Sequence, residues 1–172
     1  MNEIEKIDVL LVDDRPENLV ALEALLEDLD LNIVKATSGN DALGLVLEYD
    51  LALILLDVQM PDMDGFETAE LMRGSEKTRH IPIIFVTAIS KDMKYVFKGY
   101  ESGAVDYLFK PLNPDILRSK VKIFLELHRQ KKALEKSTLD LKQIVEELKK
   151  ANHKILVTFK SVYMVTIQPM RS

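Results

Sequence analysis

Five short apolar runs in the first 125 residues constrain the fold of this chain more than any other feature. Each run is a nearly continuous stretch of Ile, Val and Leu, which is typical of strands that are buried on both faces. The runs are Ile7–Val12, Leu31–Ala36, Leu51–Leu56, Ile81–Val86 and Val105–Phe109. We therefore expect a sheet with both faces covered.

Helical patterns separate these runs. Pro16 stands where a first helical turn tolerates proline, and a leucine stripe follows it. Further helices are predicted over Asn40–Tyr49, Phe66–Arg73 and Asp92–Glu101. Strands that alternate with helices predict an α/β fold, a doubly wound five-stranded parallel sheet with helices on both faces. Five units are too few for a closed barrel.

Composition excludes several classes of protein. The 172 residues include no cysteine, and the three histidines have no metal-ligand spacing, which argues against disulfide scaffolds and zinc enzymes. The start of the chain is acidic and lacks the basic region of a signal peptide. No apolar run reaches the ~18 residues of a membrane span. We expect a cytoplasmic protein without a membrane segment.

Charge divides the chain into two parts. Residues 1–125 carry a net charge of −10 and residues 126–172 a net charge of +5. We interpret 1–125 as the domain that holds the sheet and 126–172 as a helical appendage. The acidic first part argues against nucleic-acid binding. The basic second part is interleaved with leucines and contains no helix-turn-helix pattern, so no direct nucleic-acid contact is expected.

The second part has a heptad pattern. With Phe124 at position a, apolar residues occupy every d position: Leu127, Leu134, Leu141, Leu148, Ile155 and Val162. The other a positions hold Lys131, Thr138, Val145, Asn152 and Phe159. This pattern predicts a coiled-coil homodimer through residues 124–166, with an asparagine that can set the register. The alternative is an amphipathic helix folded back on its own domain.

Polar residues stand where the predicted strands end. Asp13 and Asp14 follow the first run, Asp57 the third, Thr87 the fourth and Lys110 the fifth. Because the carboxyl ends of parallel strands share one edge of a sheet, these side chains should converge there. Clustered carboxylates repel one another unless a cation is bound, and their oxygens suit Mg²⁺.

Each of these residues also has a plain structural interpretation. Asp13 and Asp14 could be helix N-caps, Asp57 a strand-end carboxylate, Thr87 a strand residue and Lys110 a solvated lysine. Together on one edge, carboxylates, hydroxyl and lysine are typical of phosphoryl transfer, where positioning and charge neutralisation supply most of the catalysis.

Four motifs carry a family resemblance. VDD at 12–14, LLDVQMPDMDG at 55–65, VTA at 86–88 and DYLFKP at 106–111 resemble the receiver domain of two-component response regulators. The resemblance covers roughly residues 5–125. It implies a flavodoxin-like or CheY-like sheet with strand order 2-1-3-4-5.

The resemblance also implies roles for the site residues. Asp57 resembles the phospho-acceptor of the family. Asp13 and Asp14 resemble the acidic pair that positions Mg²⁺, Asp14 directly and Asp13 largely through water. The backbone carbonyl of Gln59 is similar in position to the third protein ligand.

Three more positions match residues that respond to the phosphoryl group. Lys110 resembles the lysine that pairs with the phosphoryl oxygens, Thr87 the hydroxyl that moves onto them, and Tyr107 the aromatic switch residue. The Lys110–Pro111 bond is expected to be cis, as in the family.

The implied function is signalling rather than enzymatic turnover. A sensor histidine kinase or phosphotransfer protein would supply the phosphoryl group, and the coiled coil would pass the switch to an effector outside this chain, such as one of cyclic-di-GMP metabolism. One alternative is a phosphatase or mutase of the haloacid-dehalogenase pattern, although Gln59 replaces its acid/base aspartate. The other alternative is a structural dimerisation module with a degenerate receiver.

Overall fold

The computed structural model describes residues 5–88 and 105–167. Its five strands form one parallel sheet in the order β2-β1-β3-β4-β5, which confirms the expected topology. The strands are β1 Ile7–Val12, β2 Leu31–Ala36, β3 Leu51–Asp57, β4 Ile83–Thr87 and β5 Val105–Phe109.

The described helices cover both faces of the sheet. They are α1 Pro16–Leu26 with a 3-10 turn at Glu27–Leu29, α2 Gly39–Leu45, α3 Gly65–Arg73 and α4 Pro114–Ile167. The helix predicted over Asp92–Glu101 lies outside the described residues. None of the helices in the described part of the chain combines the length and apolar character needed to cross a bilayer.

Two apolar clusters bury the two faces of the sheet. On one face, Ala42 of α2 and Met72 of α3 pack with strand residues such as Phe85. On the other face, Leu22 of α1 and Leu117 of α4 pack with a second set of strand residues. The strands are therefore buried on both faces, as their continuous apolar runs predict.

The fourth strand begins and ends later than predicted. The sequence pattern indicated Ile81–Val86, whereas β4 spans Ile83–Thr87. Pro82 has no backbone N–H for a sheet ladder, and the N–H of Ile81 donates to the carbonyl of Thr78 in the preceding turn. The shift makes Thr87 the last residue of the strand.

The second helix is shorter than the predicted Asn40–Tyr49. It begins at Gly39, where the Ser38 side chain caps it by accepting from the Asp41 N–H at 3.0 Å. The helix ends at Leu45. Beyond it the N–H of Leu47 donates to the Gly44 carbonyl, three residues back, which is the hydrogen bond of a tighter turn.

The chain divides into two compact units. We call Met1–His128 the sheet unit and Arg129–Ser172 the helical unit. The sheet unit includes the start of α4, where Leu117, Val121 and Leu125 are buried. In the helical unit, every residue over 129–167 is helical and exposed.

One heptad assignment needs correction. Phe124, the first predicted a residue, is partly buried and packs against the core of the sheet unit. Its neighbour Leu127, the first d residue, is 52% exposed. The core of the sheet unit therefore uses the side chain of Phe124, and the exposed stripe of the heptad pattern starts at Leu127.

Candidate functional site

The ends of four strands bring the predicted site residues to one edge of the sheet. Asp13 follows β1 directly, Asp57 ends β3, Thr87 ends β4 and Lys110 follows β5. Parallel pairing fixes this arrangement, because β1 lies beside β3, β3 beside β4, and β4 beside β5. The convergence expected from the sequence is therefore present for these four residues.

Three carboxylates form a tight cluster at this edge. One carboxylate oxygen from each of Asp13, Asp14 and Asp57 lies within 4.8 Å of the others. Asp13 and Asp57 are each only 5% exposed, and Asp14 is partly buried. Negative charge is thus concentrated where little water can screen it.

Lys110 supplies the positive charge of the cluster. Its Nζ lies 3.4 Å from Asp13 Oδ2 and 3.5 Å from Asp57 Oδ1. Its backbone N–H donates to the carbonyl of Thr87 at 2.9 Å, which ties the segment after β5 to the end of β4. The next peptide bond, Lys110–Pro111, is cis as expected. Lys110 is therefore held over two of the three carboxylates.

The electrostatic environment of Asp57 opposes its ionisation. Burial raises the pKa of Asp57 above its usual value, and the negative charges of Asp13 and Asp14 raise it further, whereas Lys110 lowers it. Desolvation is the largest of these effects. A second cation at this edge would favour the charged carboxylate.

Asp13 is held in place by donors that the sequence argument missed. Arg15 is the N-cap of α1, so neither Asp13 nor Asp14 has that role. Asp13 instead accepts from the Arg15 N–H at 2.9 Å and from Asn18 Nδ2, which lies 3.2 Å from Oδ1 and 3.0 Å from Oδ2. Asn18 follows Asp13 by five residues, within the first helical turns, and that spacing was the available signal.

The loop after Asp57 is tightly built around a glycine. A Cβ on Gly65 would lie 2.2 Å from the Asp57 carbonyl oxygen, so no larger residue fits there. The Gly65 N–H donates to Val58 at 2.9 Å, and Asp64 caps α3 in a reciprocal capping box with Glu67. This packing fixes the end of β3. Gln59 lies in the same loop with an exposed side chain.

Thr87 and Tyr107 lie on neighbouring strands. The Thr87 side chain is buried at the end of β4. Tyr107, on β5, pairs with Phe85, and their ring centroids are 5.7 Å apart. Burial raises the pKa of Tyr107 to about 12, so its hydroxyl stays protonated at neutral pH.

A second connection that the sequence argument missed links β5 to α4. Lys120 of α4 forms an ion pair with Asp106, the residue before Tyr107. The Asp106 carboxylate also accepts from the backbone N–H of Tyr107 at 2.8 Å. The strand that carries Tyr107 is thus joined by an ion pair to the start of the long helix.

The donor set fits Mg²⁺. Hard divalent cations prefer oxygen ligands, and Mg²⁺ is usually bound by one or two carboxylates together with water and phosphate oxygens. The cluster of Asp13, Asp14 and Asp57 offers carboxylate oxygens close enough to surround one ion. Lys110 neutralises only part of the carboxylate charge, so the negative charge that remains favours a divalent cation.

A cavity of about 330 Å³ opens beside the cluster. Asp13, Asn18 and Lys110 form its polar side, and apolar residues of α1, β4 and the segment after β5 form the remainder. Of the three clustered carboxylates, Asp13 is the one that lines this cavity.

Comparison with known proteins places the chain in one family. Residues 9–122 match the family described as response regulator receiver domain. A probable cyclic di-GMP phosphodiesterase of Vibrio cholerae is 37% identical over 134 residues, which are 78% of this chain and 30% of that protein. Histidine kinase P4 of Formosa agariphila is 35% identical over 163 residues, 91% of this chain and 12% of that protein. The chain thus spans about a third or less of these two relatives.

A solved structure shows the same fold. It is the receiver domain of a sensor histidine kinase from Pseudomonas aeruginosa, with a magnesium ion coordinated in its active-site cleft. It is 27% identical, covers 71% of this chain and 99% of its own, and has a TM-score of 0.62. With the family match over residues 9–122, this likeness establishes that the chain belongs to the response regulator receiver domain family.

Proposed function

We propose that this receiver accepts a phosphoryl group on Asp57 from a histidine kinase or a phosphotransfer protein, with Mg²⁺ as cofactor. The observation that carries the proposal is the buried cluster of Asp13, Asp14 and Asp57 with Lys110 Nζ 3.5 Å from Asp57. Asp13 and Asp14, with the backbone carbonyl of Gln59, are the proposed protein groups around the metal.

The proposed chemistry is a nucleophilic displacement. A carboxylate oxygen of Asp57 attacks the phosphorus of a phosphohistidine, an acyl phosphate forms, and the imidazole leaves with the electrons of the broken P–N bond. When bound, Mg²⁺ supplies neutralisation of the phosphoryl oxygens and the carboxylates. Lys110 offers its ammonium to the transferred group, and Asn18 keeps Asp13 turned toward the cluster.

The proposed switch uses the neighbouring strands. An acyl phosphate on Asp57 adds acceptor oxygens and negative charge at the edge of the sheet. The Thr87 hydroxyl and Lys110 then bind these oxygens, and Tyr107 changes rotamer on β5. The Asp106–Lys120 ion pair supports a route from β5 to α4, because a shift of β5 strains that contact.

The proposed output is a dimer that acts on an effector. The heptad pattern supports a coiled-coil homodimer within residues 124–166, and its d residues from Leu127 to Val162 are 52–69% exposed. The Vibrio cholerae relative favours an effector of cyclic-di-GMP metabolism. Phosphoryl donor added to a longer protein that contains this chain should then change its rate of cyclic-di-GMP hydrolysis, and an unchanged rate would remove this part of the proposal.

The central proposal is tested by Asp57→Asn with a matched control. Asp62→Asn is suitable because Asp62 is an exposed residue of the same loop, and asparagine tolerates its φ of 66°. Wild type and Asp62→Asn should gain one phosphoryl group from acetyl phosphate and Mg²⁺, as measured by intact mass spectrometry, whereas Asp57→Asn should gain none. Equal labelling of Asp57→Asn would refute the assignment.

A further inference from the structure

The part of α4 from Leu127 onward presents an apolar stripe with a fixed repeat. The stripe consists of the exposed d residues Leu127, Leu134, Leu141, Leu148, Ile155 and Val162. Their spacing of seven keeps them on one side of a helix that supercoils with a partner. Exposure of such large apolar side chains to water is unfavourable compared with their burial.

We propose that a second copy of this chain covers the stripe in parallel orientation and in register. The inference rests on the proposed homodimer and adds the direction and alignment of its two helices. In this arrangement each residue of the seam lies opposite the same residue of the other copy. The arguments come from the polar residues among the a positions and from the charges beside the seam.

The a positions favour the parallel arrangement. Asn152 then lies opposite Asn152 of the second copy, where the two amides can hydrogen-bond to each other. In an antiparallel coil with full overlap, a residues face d residues, and Asn152 would lie against a copy of Leu134. A buried amide without a hydrogen-bond partner destabilises the coil.

Lys131 is compatible with the parallel arrangement. The antiparallel arrangement places it against a copy of Ile155. In the parallel arrangement two Lys131 side chains approach each other, but their long stems let the ammonium groups reach water. Glu135 lies one turn away in the same helix, with its carboxylate 4.0 Å from the Lys131 ammonium.

Charges beside the seam also fit the parallel arrangement. Parallel helices bring a g residue near the e residue that is five positions later in the other copy. The resulting pairs include Gln130 with Glu135 and Ser137 with Lys142, and none of the pairs along 130–163 joins like charges. The antiparallel coil instead brings Lys142 near its own copy, at the centre of the overlap.

A consequence for signalling follows from chain connectivity. Parallel helices attach both receivers to the same end of the coil, because α4 starts at Pro114 in each copy. The two Ile167 ends then leave the coil side by side. A change at both receivers can thus reach two neighbouring effectors through one seam.

The absence of cysteine from the sequence permits a clean test by cross-linking. Thr138→Cys and Leu148→Cys each place one thiol in the seam of the full chain, and Lys136→Cys places one on the outer side of the helix as a control. After oxidation by copper–phenanthroline in air, each seam variant alone should form a disulfide-linked dimer, and Lys136→Cys should not. Positions 138 and 148 face each other in the antiparallel coil but are about 15 Å apart along the parallel one, at about 1.5 Å per residue, so a mixture of the two seam variants should give no 138–148 disulfide.

Different results would overturn different parts of the account. A 138–148 disulfide without same-position disulfides would show an antiparallel coil and refute the inference, while the homodimer would stand. A monomer by light scattering would refute the homodimer and the inference with it. Phosphoryl labelling of Asp57 is measured separately and would be unaffected by either result.

Asn152→Leu provides an independent check of the argument. It removes the paired amides, so the dimer should persist while its alignment relaxes. The yield of the same-position disulfide in Leu148→Cys should then fall, and a 138–148 disulfide should appear in the mixture. An unchanged cross-linking pattern in Asn152→Leu would remove Asn152 as the residue that sets the orientation.

Discussion

The sheet unit and the helical unit use leucine in opposite ways. In the sheet unit, Leu26 of α1 and Leu117 at the start of α4 are 1% and 0% exposed. In the helical unit, Leu134 and Leu148 are 69% and 63% exposed. Both units are regular and both have periodic apolar patterns, so periodicity alone does not tell what covers the apolar residues.

This difference teaches where each unit obtains its stability. The sheet unit buries its apolar residues within itself and can place charged groups at the edge of a rigid sheet. An exposed helix gains little from its own hydrogen bonds in water, and most helical stability in proteins comes from packing of an apolar face. The carboxylate cluster therefore lies in a unit with its own core, whereas the described residues of the helical unit expose their apolar side chains.

The largest expected effect separates the two units directly. Leu141→Asp combined with Leu148→Asp places four carboxylates in the proposed seam of a dimer, and we expect the dimer dissociation constant to rise more than about 100-fold. Sedimentation measures it. Phosphoryl labelling should stay at the wild-type rate. Gln143→Asp with Lys150→Asp, on the outer side of the helix, is the control and should remain dimeric. An equal loss of dimer in this control would show that the added negative charge weakens the dimer wherever it is placed, and would contradict the proposed seam.

The next effect is confined to the sheet unit. A Cβ on Gly39 would lie 2.3 Å from Thr68 Oγ1, whereas a Cβ on Gly44, in the same helix, meets nothing within 4 Å. Gly39→Ala should lower the free energy of unfolding by about 1–3 kcal/mol, and Gly44→Ala should raise it by about 0.5–1 kcal/mol. Urea unfolding of the two variants checks the pair. Destabilisation of both would contradict the local packing.

Asn18 allows a test of the site without removal of a charge. Asn18→Ala deletes the donor that contacts both oxygens of Asp13, and we expect Mg²⁺ affinity to fall several-fold, on the order of one lost hydrogen bond to a charged group. Isothermal titration calorimetry measures the affinity. Asn32→Ala is the control. Asn32 also donates to an aspartate, Asp8, but this pair lies near the starts of β2 and β1, away from the strand ends that form the site. Equal Mg²⁺ affinity in Asn18→Ala and wild type would deny Asn18 a positioning role.

The smallest effect concerns pH. Burial raises the pKa of Asp57 in the folded state, so folding is favoured by its neutral form, and this contribution is lost as pH rises through the raised pKa. Asp57→Asn avoids the ionised form, so its melting temperature in a metal chelator should exceed that of the wild type by a few degrees near pH 7.5 and by less near pH 4. Thermal unfolding at both values measures it. An equal gain in melting temperature at both pH values would contradict a raised pKa of Asp57.

The sequence predicted those features that depend on burial and chain order. The apolar runs gave β1, β2 and β5 with their observed bounds, and the order of the strands brought Asp57 and Lys110 together. Pro82 was a local signal for the late start of β4. Other features depend on three-dimensional packing, which periodicity does not contain. The heptad repeat could not show that Phe124 packs in the sheet unit.

The contacts around the site were harder to predict than the site itself. The sequence shows Asn18 only as a polar residue near the start of a helix. Its hydrogen bond to Asp13 is evident only from the structure. Asp106 and Lys120 are fourteen residues apart and belong to different elements, so only the fold joins them. Strand ends predict which groups converge, whereas side-chain partners depend on geometry that the pattern leaves open.

The most direct test of the account is chemical location of the phosphoryl group. An acyl phosphate on aspartate is reduced by borohydride to homoserine, which peptide mass spectrometry can assign to one position. After incubation with a phosphoryl donor and Mg²⁺, the account predicts homoserine at position 57, and none when Mg²⁺ is removed by a chelator. Homoserine at Asp62 or Asp64 instead, or the same yield at position 57 without Mg²⁺, would contradict the proposed site.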